Sequence, residues 1–175
     1  DAPLRVFPRP RGASTRVIVT EYELPQQLLA LHDAAADAQG NIWFTSHKTR
    51  YVGKMDPKTG IFTEYMLPLT PGAMPGSHNV KVDKNGIAWI SENWAHQLNR
   101  LDPQTGQVKQ VRIESATPIN AHSFGNFTLD ADGFVWDARA NRVTKLDPAT
   151  GKVVKEYPLQ TSSSYDNLIS YDGKF

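Results

Sequence analysis

Apolar and β-branched residues fall in short runs, broken by Gly, Asp, Asn and Pro, which is the rhythm of strands and tight turns rather than of helices. The clearest stretch has four such runs, His78–Val82, Ile87–Ser91, Gln97–Leu101 and Gln107–Ile113. The turns between them recur along the chain. Asp-Pro-x-Thr-Gly stands at Asp56–Gly60, Asp102–Gly106 and Asp147–Gly151, spaced 46 and 45 residues apart. Asp-x-x-Gly followed by Trp travels with it, as Asp37-Gly40-Trp43, Asp83-Gly86-Trp89 and Asp130-Gly133-Trp136. Each element has a mechanism: Asp accepts backbone amides further along the turn, Pro presets φ, and Gly takes the positive φ that closes a hairpin. Four antiparallel strands in a repeat of about 45 residues make the blade of a propeller.

The pattern therefore predicts an all-β chain, a β-propeller of four-stranded antiparallel blades with about three and a half present. Residues 1–15, with Pro3, Pro8, Pro10 and Gly12, read as an extended linker. Thr20–Pro25 nearly copies Thr63–Pro68, so 16–25 is expected to be an outer strand whose inner partners lie elsewhere. Full blades are expected at 30–68, 76–114 and 122–160, with a further unit starting at 164–175. Three arrangements fit such ends: a piece of a six- or seven-bladed propeller, two copies paired head to tail, or a four-bladed ring with one deficient blade. The expected partners are accordingly the remaining blades, or another chain that completes the ring.

Charge narrows the function classes. With 19 basic and 18 acidic residues the net charge is +1, which leaves no field to draw in nucleic acid or an anionic membrane. No apolar run reaches the roughly 18 to 20 residues of a membrane span. There is no cysteine, so neither disulfide nor thiolate chemistry is available.

Candidate chemistry follows from the hairpins. The first strand of a blade lines the channel and the second returns beside it, so the start of one and the end of the other share a channel mouth. A turn centred near Asn85 sets His78 against Glu92; the same construction sets His32 against Ser46 and Gly125 against Arg139, with His122 just upstream, and brings in Tyr165. Just inside stand Asp33, Asn79, Asn126 and Asp166. His32, His78, His122, Asn79, Glu92, Arg139 and Tyr165 thus form a candidate polar ligand site. An imidazole directly across a ladder from a carboxylate can serve as an oriented base or half of a metal site. A structural reading stands beside each assignment: His32 and the Asp/Asn column as ties between blades, and the three Trp as inter-blade core. His47, Trp94 and His96 fall in loops after the second strands, where surface and ligand-contact roles are equally open. His78 with Glu92 departs from the repeat, and departure is where function is expected in a repeat protein.

The units resemble those of the virginiamycin B lyase (streptogramin lyase) family over residues 16–175. The matching stretches are Asp37–Thr45, with Gly40-Asn41-Ile42-Trp43-Phe44-Thr45, then Gly53–Gly60 and Thr63–Pro68. The resemblance implies a Mg²⁺-dependent carbon–oxygen lyase that opens a cyclic depsipeptide ester by elimination, with a His base and Glu carboxylates on the metal. In those terms His78 would be the base and Glu92 a metal ligand. The family's Glu two residues before its His is here Gly76. Family habit also implies a secreted or periplasmic location. The alternatives are a non-catalytic ligand- or protein-binding scaffold of a larger exported protein, and a calcium-dependent lactonase-type propeller, which would want more carboxylates at the mouth than Glu92 and the Asp column offer.

Overall fold

The computed structural model describes residues 12, 19–26, 30–114, 124–139 and 142–160. They form three four-stranded antiparallel sheets, each a meander in chain order. The first blade is β1 (Leu31–Ala36), β2 (Ile42–Ser46), β3 (Tyr51–Asp56) and β4 (Ile61–Met66). The second is β5 (Ser77–Val82), β6 (Ala88–Glu92), β7 (Gln97–Leu101) and β8 (Val108–Arg112). The third is β9 (Phe127–Leu129), β10 (Val135–Arg139), β11 (Arg142–Leu146) and β12 (Val153–Pro158). Apart from Gly12, the expected linker lies outside the described residues, as does the expected start of a further unit at 164–175.

The repeated turn and the repeated Trp prove to be one hydrogen-bonded unit. Asp83 Oδ1 accepts the backbone amides of Asn85 (2.8 Å) and Ile87 (3.1 Å), while its Oδ2 accepts Trp89 Nε1–H (3.0 Å). Asp37 does the same for Gln39, Asn41 and Trp43, and Asp130 for Asp132, Phe134 and Trp136. Burial alone would raise the Asp37 and Asp130 carboxyls, but these donors, with the Asn41 side-chain amide at Asp37 and the Lys145 ammonium at Asp130, hold both below the usual range. Each turn is thereby chained to an aromatic side chain of the second strand.

The core lies between blades rather than within them. Trp43, Val52 and Leu67 of the first blade pack on Val80, Ala88, Ile90 and Leu101 of the second. On its other face the second blade sets Ile87, Trp89 and Leu98 against Phe124, Phe127, Val135 and Leu146. A sheet covered on both faces has no polar side to alternate with, so every residue of β6 is buried. Trp43 stacks on Tyr65 of its own outer strand at 5.6 Å, as Trp136 does on Tyr157 at 5.7 Å. Tyr65 then donates its hydroxyl to Pro103 of the next blade (3.4 Å). Tyr22 makes the equivalent bond to Pro57 of the first blade (2.9 Å), although residues 19–26 carry no strand ladder of their own.

At the channel end, the first strands of the first two blades each bulge. Register runs Ala34↔Phe44 in the first blade and Val80↔Ile90 in the second, then jumps to Leu31↔Ser46 and Ser77↔Glu92. His32 and Asp33 thus share Thr45 as their opposite residue, and His78 and Asn79 share Ser91. The bulge takes an amide out of the ladder, and a buried unpaired amide is costly. A hydroxyl supplies the missing partner. Thr45 Oγ1 accepts Asp33 N–H (3.1 Å) and donates to His78 C=O of the next blade (2.6 Å). Ser91 Oγ accepts Asn79 N–H (3.0 Å) and donates to Gly125 C=O of the third (2.6 Å). Thr45 is fully buried, so Thr45→Val, nearly equal in volume, should lower stability by roughly 1–3 kcal/mol. Urea unfolding at fixed pH reads this directly, and a loss below about 0.5 kcal/mol would mean the relay contributes little.

Candidate functional site

The bulge corrects the expected pairing. Inside the blade the register is the expected one about Asn85, with Val80↔Ile90, Lys81↔Trp89 and Val82↔Ala88. At the mouth it is Ser77, not His78, that stands across from Glu92, and Leu31, not His32, that stands across from Ser46. A one-residue shift in a strand sends a side chain to the other face.

The redirected histidines meet each other. The His32 and His78 rings lie 3.9 Å apart at 42°, although they come from different blades. His47, the first residue after β2, joins them, 4.7 Å from His32 and 5.2 Å from His78. One ring nitrogen from each of the three lies within 4.8 Å of the others, an arrangement that could hold a metal ion. His32 is exposed, His47 half-buried and His78 buried. His32 Nδ1 donates to the His78 carbonyl (3.2 Å), so in the neutral ring the lone pair belongs to Nε2.

Two glycines give the cluster room. A Cβ on Gly125 would lie 2.9 Å from His78 Cε1. On Gly76 it would lie 2.6 Å from the His47 carbonyl oxygen and 3.1 Å from Trp94 Cδ1. Trp94 in turn flanks His47 at 5.9 Å between rings, and the His47 amide donates to Ala30 C=O (2.8 Å). The sequence puts His47 in a loop and does not single it out for the mouth. The signal that could have found it is its place directly after the second strand, one residue from the predicted mouth.

Glu92 turns the other way. It is 2% exposed, and its Oε1 accepts Asn99 Nδ2–H (2.7 Å) and Gln110 Nε2–H (3.1 Å) from the outer strands of its own blade. Burial pushes its carboxyl up, and these two donors with the Arg50 charge only partly offset that. Asn79 is a tie between blades: its Nδ2–H donates to Asp33 Oδ2 (2.6 Å) and its Oδ1 accepts Phe127 N–H (3.4 Å). Asp33 Oδ2 also accepts Val80 N–H (3.0 Å), so this column serves the repeat. His96 is buried at the foot of β7, at φ +52°, with its carbonyl on the Ile113 amide. Arg139 ends β10 opposite Arg142. His122 and Tyr165 lie outside the described residues.

A carboxyl whose pKa is raised by folding stabilises the fold below its unfolded value, and that contribution is lost as pH rises through the folded value. For Glu92 the window opens near the ordinary 4.5 and extends upward. Glu92→Gln keeps an acceptor for Asn99 and Gln110 without the buried charge. The variant should therefore melt higher than the parent at about pH 8, with the gap closing toward about pH 4. Melting curves at the two pH values decide it; an equal gap at both would remove the charge as the cause.

No protein-family model matches the sequence, and no curated protein matches it. Solved structures do. A catalytically inactive virginiamycin B lyase from Staphylococcus aureus, solved with quinupristin, is 23% identical with a TM-score of 0.69, covering 88% of this chain and 50% of that one. A streptogramin B lyase structure is 26% identical with a TM-score of 0.62, over 81% and 45%. An extracellular domain from B. thetaiotaomicron is 15% identical with a TM-score of 0.59, over 82% and 19%. The chain spans about half the length of the lyases it matches. Three four-stranded sheets with this connection and these neighbours make the chain a partial β-propeller similar to the virginiamycin B lyases.

Proposed function

We propose that the chain forms part of a propeller that takes a small cyclic ester at the channel mouth and opens it by elimination, a carbon–oxygen lyase reaction. The observation that carries this reading is the convergence of His32, His47 and His78 where the first strands of two neighbouring blades begin. The likeness of the fold to virginiamycin B lyases supports the reaction class.

His78 was the base expected from the sequence, but it is 1% exposed and lies under the His32 ring. The base presented to a ligand is then His32, held by its Nδ1–H on the His78 carbonyl and offering Nε2. Nε2 takes the proton from a carbon next to a carbonyl. That electron pair forms a double bond to the neighbouring carbon as the bond to the ester oxygen breaks, and the acyl fragment leaves as a carboxylate. His78 orients the base through its carbonyl, and the Thr45 hydroxyl fixes that carbonyl in turn.

Magnesium, which the resemblance implies, does not suit these residues. It asks for oxygen ligands, and Glu92 is turned into its own blade, on Asn99 and Gln110. We assign the magnesium ion no role in this part of the site. A location outside the cytoplasm is supported by the likeness to an extracellular domain; no helix of the described residues is long and apolar enough to cross a membrane.

The test is incubation of the full-length protein with quinupristin, with the product read by mass spectrometry and ultraviolet absorbance. Elimination gives a linear product of unchanged mass with a new double bond, whereas hydrolysis gives one heavier by a water. His32→Ala should lower kcat/KM by about 10²–10⁴-fold. Binding without turnover would transfer the chain to the scaffold reading, and an unchanged rate in His32→Ala would remove His32 as the base.

A further inference from the structure

The three histidines gather nitrogen donors and no carboxylate, a donor set with its own metal preference. Imidazole suits zinc, copper, nickel and iron, while magnesium and calcium take oxygen. We propose that His32, His47 and His78 form a binding site for a divalent transition ion of the zinc class, held between the first and second blades. This goes beyond the lyase reading, because the ion and a substrate proton would compete for the same His32 Nε2 lone pair.

Four features support a built site rather than three rings that happen to touch. The ligands come from three separate segments, β1, the loop after β2, and the start of β5, so only the assembled pair of blades brings them together. His32 donates Nδ1–H to a carbonyl, the usual way in which a ligating imidazole has its tautomer and orientation fixed. That carbonyl, His78 C=O, is itself held by the buried Thr45 hydroxyl at 2.6 Å. Gly76 leaves the space that the His47 backbone and Trp94 fill, so the position where the resembling family has a carboxylate is closed here by the cluster's own wall.

The geometry needs only a small adjustment. Zinc–nitrogen bonds of about 2.0–2.1 Å at tetrahedral angles place the nitrogens about 3.4 Å apart. The three nitrogens already lie within 4.8 Å of one another, and side-chain rotation about the ring-bearing bonds closes them to that spacing. Three protein ligands leave a fourth position for water or a ligand, on the side where His32 is exposed.

Titration calorimetry of the metal-free full-length protein with ZnCl₂, and separately with MgCl₂, tests the proposal without any reference to turnover. Zinc should bind at about one ion per chain, and magnesium should neither bind there nor compete. Cobalt(II) in place of zinc should give the intense visible bands of a tetrahedral centre. His32→Ala and His47→Ala should each weaken zinc by more than about tenfold. Both residues lie at the surface or in a loop, so circular dichroism should show the fold retained. Gly76→Ala, which leaves all three ligands in place, should also weaken zinc, because its methyl group displaces His47. Glu92→Gln should leave zinc affinity unchanged. Zinc binding that survives both histidine substitutions, absence of zinc binding at micromolar ion, or loss of binding in Glu92→Gln would each overturn the site. Zinc binding is read without substrate and quinupristin turnover on the metal-free protein, so the two readings fail separately.

Discussion

A single buried hydroxyl near the end of the second strand, in the first and in the second blade, governs the channel mouth. Thr45 and Ser91 each accept an amide that the β-bulge has freed and donate to a carbonyl of the following blade. One group therefore makes the bulge tolerable and fixes the spacing between blades. The bulge changes which face the following residues point to, so the direction of His32 and His78 depends on it. The third blade has Ala138 at the corresponding place, where no such relay can form, and its first strand is the short β9.

Around that mouth the molecule is built from ties that repeat at the blade spacing. The Asp-to-Trp bond chains each turn to the core, the Asp33–Asn79 column joins first strands, and tyrosine hydroxyls link an outer strand to the next blade. Each of these bonds has its partner either within one blade or in the next, as expected of a repeat architecture held by nearest-neighbour interfaces. The second blade, covered on both faces, is accordingly the most continuously buried of the three. It also contributes the most deeply buried of the clustered histidines.

The chemistry of the mouth differs from what the family likeness implies at two positions. At position 76, where the resemblance implies a carboxylate, glycine leaves room for the His47 backbone and Trp94. Glu92, the remaining acid of the expected pair, is absorbed by Asn99 and Gln110 within its own sheet. The result is a nitrogen-rich cluster in a fold shared with the virginiamycin B lyases and with an extracellular domain. Fold likeness accordingly sets the frame, and the side chains at the strand ends set the function.

The blades were legible in the sequence because their causes are local. A turn needs its Asp and Gly within a few residues, and three copies at a near-constant spacing leave the four-stranded unit little freedom. The interior register about Asn85 followed from the same local symmetry. The mouth was not legible, because the bulge that rotates His32 and His78 is stabilised by a hydroxyl whose other partner lies in the next blade, more than thirty residues away. A period-two strand rule takes no account of that partner, so it sets His78 rather than Ser77 against Glu92. The sequence alone determined that there are blades and which residues close their turns. Only the tertiary structure decided that three imidazoles, rather than an imidazole and a carboxylate, share the end of the channel.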